Sequence, residues 1–304
     1  MIEKTERQYT EISTRLIKRY ERETEKNWKD APIAFCRWVF DLSKDWENST
    51  WRLRKSALIY FMRNFGPAEA VEYLANVQRT PKPKKKKAIK RTSQKKARKI
   101  SIVDLQLLMD TLQRQTKGRY DPFIARWMLA GLLVGVRPCE WFGARIEGDA
   151  LLLKNAKFGP NRSCGEFRTI HFSKDKLDNL ATVYEFVAEL TAMNLTEQEF
   201  TNLYQQCRRR LWLINRKLWP GRKEKICLYT ARHQFSANAK STMGLIAVAA
   251  LMGHRSTDTA TRNYLKRQYG DNKMIFVEPD EKNMQLVDDK FKGFKPAYNG
   301  KNIK

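Results

Sequence analysis

The chain has 304 residues, with 59 Lys and Arg against 33 Asp and Glu, a formal net charge of +26. At 42% hydrophobic and 11% aromatic it has the material for packed cores, which excludes wholesale disorder despite the charge. No stretch approaches the ~20 uninterrupted apolar residues of a bilayer span. The opening MIEKTERQYTEISTRLIKRYERE is charged throughout and lacks the apolar core of a signal peptide. The expectation is a soluble cytoplasmic protein with no membrane partner. The length suggests roughly two domains, at about 150 residues each.

Five cysteines (Cys36, Cys139, Cys164, Cys207, Cys227) are scattered and never form a C-x-x-C pair. That argues against a disulfide framework or a zinc site and for ordinary thiols. An excess of positive charge costs self-repulsion in a folded chain, and a polyanion offsets it; nucleic acid is the commonest one. Composition alone leaves open a protein that coats RNA without selectivity, although the aromatic-glycine signature of a common RNA-binding sheet is missing.

Residues 1–81 read as all helix. Phe35, Trp38, Val39, Leu42 and Trp46 fall on one stripe at helical period. A second helix is predicted over 49–64, capped by Ser49 or Thr50, with Trp51, Leu58, Phe61 and Met62 facing inward. Gly66-Pro67 ends it, and a third follows over 68–77. Arg52, Arg54 and Lys55 lie on the polar side of the second helix, either as phosphate contacts or as a solvated face. Residues 82–99, KPKKKKAIKRTSQKKARK, hold eleven Lys or Arg and no acid. Pro81 and Pro83 oppose helix there, and like charges keep such a run extended. It reads as an interdomain linker, a flexible tether or a strap in which Lys84, Lys85, Lys86 and Lys87 lie along phosphates.

Beyond residue 100, Ser101 caps a helix predicted to run to 116, and PFIARWMLAGLLVG forms another over 121–134. The segment 145–172 changes to short apolar runs around a turn-rich centre, FGPNRSCGE, the pattern of a small antiparallel sheet. Helices are predicted again over 174–193, 196–217, 230–240, 244–252 and 256–269. The tail, 276–304, has no long periodicity; it either docks on a neighbouring subunit or frays. The fold class is mainly α with a small antiparallel β-sheet.

No phosphate-binding P-loop, dinucleotide-binding glycine turn or H-E-x-x-H helix occurs. The informative segment is 226–267. It holds two of the three histidines, in Arg232-His233 at a predicted helix start and in Leu251-Met252-Gly253-His254 at a helix end, with Tyr264 ten residues further on. Gly135-Val136-Arg137-Pro138-Cys139-Glu140 lies upstream, between two helices.

These elements, in this order, resemble the tyrosine recombinase (phage integrase) family across both halves of the chain. The resemblance implies a helical core-binding domain (1–81), a basic linker (82–99) and an α+β catalytic domain (100–275) followed by a C-terminal tail (276–304). Arg137 matches the first catalytic arginine, with Glu140 three residues on. Arg232-His233 matches the second arginine box, Gly253-His254 the L-G-H box, and Tyr264 the nucleophile. Lys157 matches the lysine of the β-hairpin, with Lys154 as the competing choice and Arg168-Thr-Ile-His171 as the returning strand. Tyr229 departs from the family, which usually has His or Lys three residues before the second arginine. The interval of ten residues from His254 to Tyr264 is one longer than usual.

What the resemblance implies fits the physical chemistry of these groups. A tyrosine phenolate stores the energy of a broken phosphodiester as a 3′-phosphotyrosyl ester, so the chemistry calls for no cofactor, metal or ATP. Arg137 and Arg232 would clamp the nonbridging oxygens, His254 would donate to one of them, and His233 would orient the cluster. Lys157 would protonate the leaving 5′ oxygen. Tyr229, a poor base at neutral pH beside histidine, is expected to hydrogen-bond the phosphate or His233 and to give slower chemistry rather than none. The implied partner is double-stranded DNA, bound by a homotetramer on two duplexes with accessory DNA-bending proteins, in a bacterial or mobile-element setting. The alternative is a catalytically weak DNA-binding protein that retains the fold.

Overall fold

The computed structural model describes residues 3–80, 95–115, 118–156, 158–159, 163, 165–173, 178–264 and 266–289. Lys157 and the run Lys84 to Lys87 lie outside them. The architecture is mainly α-helical with a small antiparallel sheet, and the chain forms two compact units, residues 1–90 and 91–304.

The first unit contains helices α1 (Glu3–Thr24), α2 (Pro32–Ser43), α3 (Asn48–Phe65) and α4 (Ala68–Asn76). The charged opening stretch is an amphipathic helix: Ser13, Leu16, Ile17 and Tyr20, spaced at helical period, are buried. Leu16, Ile17 and Tyr20 pack with Trp28, Phe35, Val39, Leu58 and Met62 into one core. Two details differ from the sequence reading. The stripe of α2 stops at Ser43, because Asp45 and Trp46 turn back onto the carbonyls of Leu42 and Ser43, and Trp46 lies beyond the helix. α3 starts at Asn48 and has no side-chain cap, so neither Ser49 nor Thr50 performs that role.

The second unit is built round α6 (Asp121–Val134), buried on nearly every side and therefore apolar all round. Before it lie β1 (Lys95–Lys96) and α5 (Ile102–Asp110), whose Ser101 cap accepts from the Asp104 N–H at 3.1 Å. A four-stranded antiparallel sheet follows in the order β2 (Arg145–Glu147), β3 (Ala150–Lys154), β4 (Phe167–Phe172) and β6 (Val277–Pro279). Between β4 and β6 come α7 (Ala181–Ala192), α8 (Glu197–Leu218), β5 (Glu224–Lys225), α9 (Leu228–Thr242), α10 (Leu245–Leu251) and α11 (Thr257–Asn263). α12 (Glu281–Gln285) closes the described chain. α6 packs against α7 and α9, which places the N-terminal turns of α9 beside the C-terminal end of α6.

Three expectations are corrected here. The end of the basic run belongs to the second unit: Lys95–Lys96 pair in parallel with Glu224–Lys225, and Ala97 is buried with its carbonyl bonded by Thr230. The predicted helix over 256–269 ends at Asn263, so Tyr264 follows the helix in extended backbone. Of the tail, residues 290–304 lie outside the described residues, while 277–289 fold onto their own unit. β6 adds to the sheet edge, Asn283 accepts from the Thr169 N–H at 2.9 Å, and Asp288 donates its N–H to Arg255 at 2.7 Å. Among the described residues no helix is long and apolar enough to cross a membrane.

Candidate active site

α6 ends at Gly135, whose φ of +67° is a left-handed conformation that glycine adopts without strain. A side chain there would also strike the Phe235 ring, 2.1 Å from an ideal Cβ. The chain then turns through a short 3₁₀ segment in which the Arg137 N–H donates to Glu140 at 3.0 Å and the two side chains pair. That turn delivers a guanidinium and a carboxylate into the space between the sheet and α9.

Glu140 is the hub. It is 1% exposed and takes Arg137, Arg168 (Nη2 at 2.7 Å), the Ala156 N–H at 3.1 Å and, more distantly, Arg232 at 3.8 Å. Burial opposes its charge, but Arg168, Arg137 and Arg232 overcome that and hold its carboxyl well below the usual range. Arg168 arrives from β4, where Arg168, Ile170 and Phe172 alternate inward. It also bonds Asn155 and the Leu251 carbonyl. Three arginines round one carboxylate leave the pocket positive, in surroundings where charge is poorly screened.

α9 starts at Leu228, two residues before its predicted start, so Tyr229, Arg232 and His233 share a face of its first turns. Arg232 is wholly buried and uses its guanidinium on protein: Nη1 on the Gly135 carbonyl at 2.6 Å, Nη2 on the Met252 carbonyl, and Nε on the Tyr264 hydroxyl at 3.0 Å. Arg137 differs, because its Nε is buried with no hydrogen-bond partner among the described residues. Of the two expected clamps, Arg137 is the one with a donor to spare.

Tyr264 is 7% exposed, but its hydroxyl points at the guanidinium and not into the apolar core. Its ring lies against His233 and His254, with centroids 5.0 and 4.9 Å away. Burial pushes its ionisation up; Arg232, the hydrogen bond from Tyr229 and Arg137 more than offset that and bring it down. The Tyr229 hydroxyl lies 3.0 Å from that of Tyr264, and burial pushes Tyr229 up to about 12. Of the two partners expected for Tyr229, phosphate or His233, the second is met only ring edge-on, at 5.2 Å.

Both histidines are neutral near pH 7. Burial, then Arg98, Arg232, Lys240 and Lys96, lower His233 to about 4. Burial and the three arginines push His254 well below its ordinary value. Because an arginine only donates, His254 Nε2 accepts from Arg232 Nη2 at 3.2 Å. Its proton therefore sits on Nδ1, which has no partner among the described residues. Gly253 has φ of +62°, and a Cβ there would lie 2.4 Å from Asn155 Oδ1. The backbone before His254 is thus packed against the side chains that hold Arg168.

The pocket gathers Arg137, Arg232, His233, His254, Tyr264 and Tyr229. Lys154 is not with them: it pairs with Glu166 at 3.2 Å on the exposed side of the hairpin. The third histidine, His171, is 3.3 Å from Asp280 on the sheet edge. In the first unit Arg52 is exposed and Arg54 lies over the Trp46 ring at 4.0 Å. Lys55 donates to the carbonyls of Ala75 and Val77, so it closes the end of α4 rather than facing a phosphate. The sequence reading gave no role to Arg168 or Asn155. The alternation in FRTIHF holds the signal for Arg168, since a charge on the inward face of a strand requires a buried partner.

No family model and no curated protein matches the chain. Among solved structures it is similar to the XerH site-specific recombinase, bound to a palindromic difH substrate in a post-cleavage complex. The identity is 14% and the TM-score 0.43, over 86% of this chain and 74% of that one. A likeness that loose decides nothing about function, which has to be argued from the pocket.

Proposed function

We propose that this chain is a tyrosine-type site-specific DNA recombinase or integrase, which cleaves and rejoins DNA through a 3′-phosphotyrosyl intermediate. The observation that carries the reading is the Tyr264 hydroxyl bonded to Arg232 Nε at 3.0 Å, in a positive pocket shared with Arg137. In the forward step the Tyr264 oxygen, having lost its proton, bonds to phosphorus and the bond to the 5′ oxygen breaks. That oxygen takes a proton from Lys157. Negative charge then moves from the phenolate to the nonbridging oxygens. Arg137 Nε and the Arg232 edge that held the phenolate stabilise it there. Attack by a 5′-hydroxyl on the ester reverses the step and rejoins the strand.

In this reading residues 1–81 are a DNA-binding domain, the basic run tracks the backbone, and four chains exchange strands between two duplexes in the cytoplasm. The test is covalent trapping on a nicked suicide duplex carrying the cognate site, recovered by mapping the DNA bound in cells. Wild type should form a denaturation-resistant adduct and Tyr264→Phe none; an adduct of equal yield from Tyr264→Phe would overturn the assignment.

A second reading is a binding protein with little catalysis. The occupied guanidinium of Arg232 favours it, because the Gly135 and Met252 carbonyls, the Tyr264 hydroxyl and His254 already take its donors. No adduct on cognate DNA, with binding intact, would select it.

A further inference from the structure

We propose that Tyr229 is a positioning residue for Tyr264: its O–H donates to the Tyr264 oxygen, which the Arg232 Nε–H bonds as well, so that the nucleophile is held as an acceptor between two donors. The inference rests on Tyr264 being the nucleophile, as proposed above. It gives the position a role that neither a base nor a phosphate ligand would have.

The geometry leaves few other options. Arg232 Nε is a donor only, so the Tyr264 oxygen accepts from it at 3.0 Å. The contact to Tyr229, also 3.0 Å, is the one hydrogen bond of the Tyr229 hydroxyl among the described residues. When Tyr264 loses its proton, the Tyr229 proton has one place to point, and the anion keeps both bonds. Tyr229 keeps its own proton throughout.

Among the described residues no neighbour is arranged to take the proton of Tyr264. The groups round the phenol are Tyr229, Arg232 and His233 from α9, Arg137 and Glu140 from the turn after α6, and His254 after α10. Arg168 stands behind Glu140. The Glu140 carboxylate is engaged by Arg137 and Arg168, and His254 Nε2 by Arg232. His233 meets the phenol ring-to-ring and makes no hydrogen bond to its oxygen. With no protein acceptor among the described residues, the proton leaves to solvent before attack. The hydroxyl is activated by stabilising its anion, not by general-base catalysis.

The test reads ionisation without DNA. In NMR of protein carrying isotope-labelled tyrosine, the Tyr264 signal is assigned by its loss in Tyr264→Phe and followed with pH. In wild type it should titrate below the ordinary tyrosine value of about 10. Tyr229→Phe, which removes the donor, should lower the ionisation constant about tenfold, the worth of a hydrogen bond to a charged group. Tyr229→Gln, which restores an N–H donor, should recover part of it. If Tyr229→Phe does not fold, as judged by melting, Tyr229→Leu is the second donor-free variant. An unchanged Tyr264 titration in the donor-free variant overturns the proposal. On suicide DNA, the same variant should form adduct about tenfold more slowly at neutral pH and recover as pH rises; equal rates at every pH would also overturn it. If wild type forms no adduct while the titration shifts as expected, the recombinase reading fails and the role of Tyr229 beside Tyr264 stands.

Discussion

On α3, Arg52, Arg54 and Lys55 occupy one short stretch of helix at the surface of the first unit. In the second unit Arg137, Arg168 and Arg232 come from a turn, a strand and a helix and meet on one buried carboxylate. The side chains are nearly the same and the outcome is not. At the surface each cation settles its own account with its neighbours: Arg52 faces water, Arg54 lies over Trp46, and Lys55 holds two carbonyls. Around Glu140 all three arginines are buried: Arg137 depends on the carboxylate, Arg168 on the carboxylate and the Leu251 carbonyl, and Arg232 on the carbonyls of Gly135 and Met252. Burial turns a set of charges into a unit. A guanidinium–carboxylate pair at about 4 Å is worth about 1 kcal/mol in water and about 4 kcal/mol at an effective dielectric near 20.

The comparison breaks most directly at Glu140. Glu140→Gln leaves Arg137, Arg168 and Arg232 buried beside a neutral amide. Removing one partner of a buried ion pair costs about 3–5 kcal/mol. The expected result is a large fall in the denaturant midpoint, against about 0.5 kcal/mol or less for an exposed change such as Arg52→Ala. A Glu140→Gln protein of wild-type stability would mean that the hub contributes no more than a surface cluster.

A smaller effect distinguishes the two regions by pH. The folded state lowers His233 to about 4, from an unfolded value near 6.5. Between those values the unfolded chain binds a proton that the folded chain refuses, so this term is fully present above pH 6.5 and lost as pH falls towards 4. Denaturant titrations at pH 7, 5.5 and 4.5 should show His233→Gln losing less stability than wild type across that window. Parallel losses would show that the cations around His233 do not act on it as the pocket geometry requires. Glu140 lies further down the same acid limb: its depressed value adds stability above the ordinary carboxylate range, which is lost only under strongly acidic conditions.

How much of this was legible in the sequence follows from which interactions are local. Three of the four helices of the first unit, the cap at Ser101, the apolar α6 and the small sheet could be read, because period, caps and turn residues act over a few positions; α1, charged on most of its surface, was not placed as an element. The ordered elements around Arg137, Arg232, His254 and Tyr264 could be listed, and the pocket does bring their side chains together. What could not be read depends on distant packing. The partner of Tyr229 is 35 residues away. The β6 strand has too short a pattern to show until β4 offers it an edge. The end of α11 at Asn263, which frees Tyr264 from the helix, was overrun by a periodicity that continues past it. Arg232 was expected to present its fork to a phosphate, and nothing local indicates that two carbonyls from other elements already fill it.

The finest distinction lies within α3 itself. Arg52 and Lys55 are both cations on the same polar side, but only Lys55 is committed to its own fold. If the first unit lies on DNA, Arg52→Ala should weaken binding uniformly across sequences and reduce the log–log salt slope by about 0.9, the share of one phosphate contact. Lys55→Met should leave that slope unchanged and instead cost about 0.3–1 kcal/mol of stability, because it removes a cation from the carbonyl end of α4. Fluorescence anisotropy over a salt series and a denaturant melt of each variant make the two measurements. Equal salt slopes for the two variants would mean that the ammonium of Lys55 leaves its carbonyls for the backbone of the duplex. The boundary between a structural cation and a binding one would then be set by the ligand rather than by the fold.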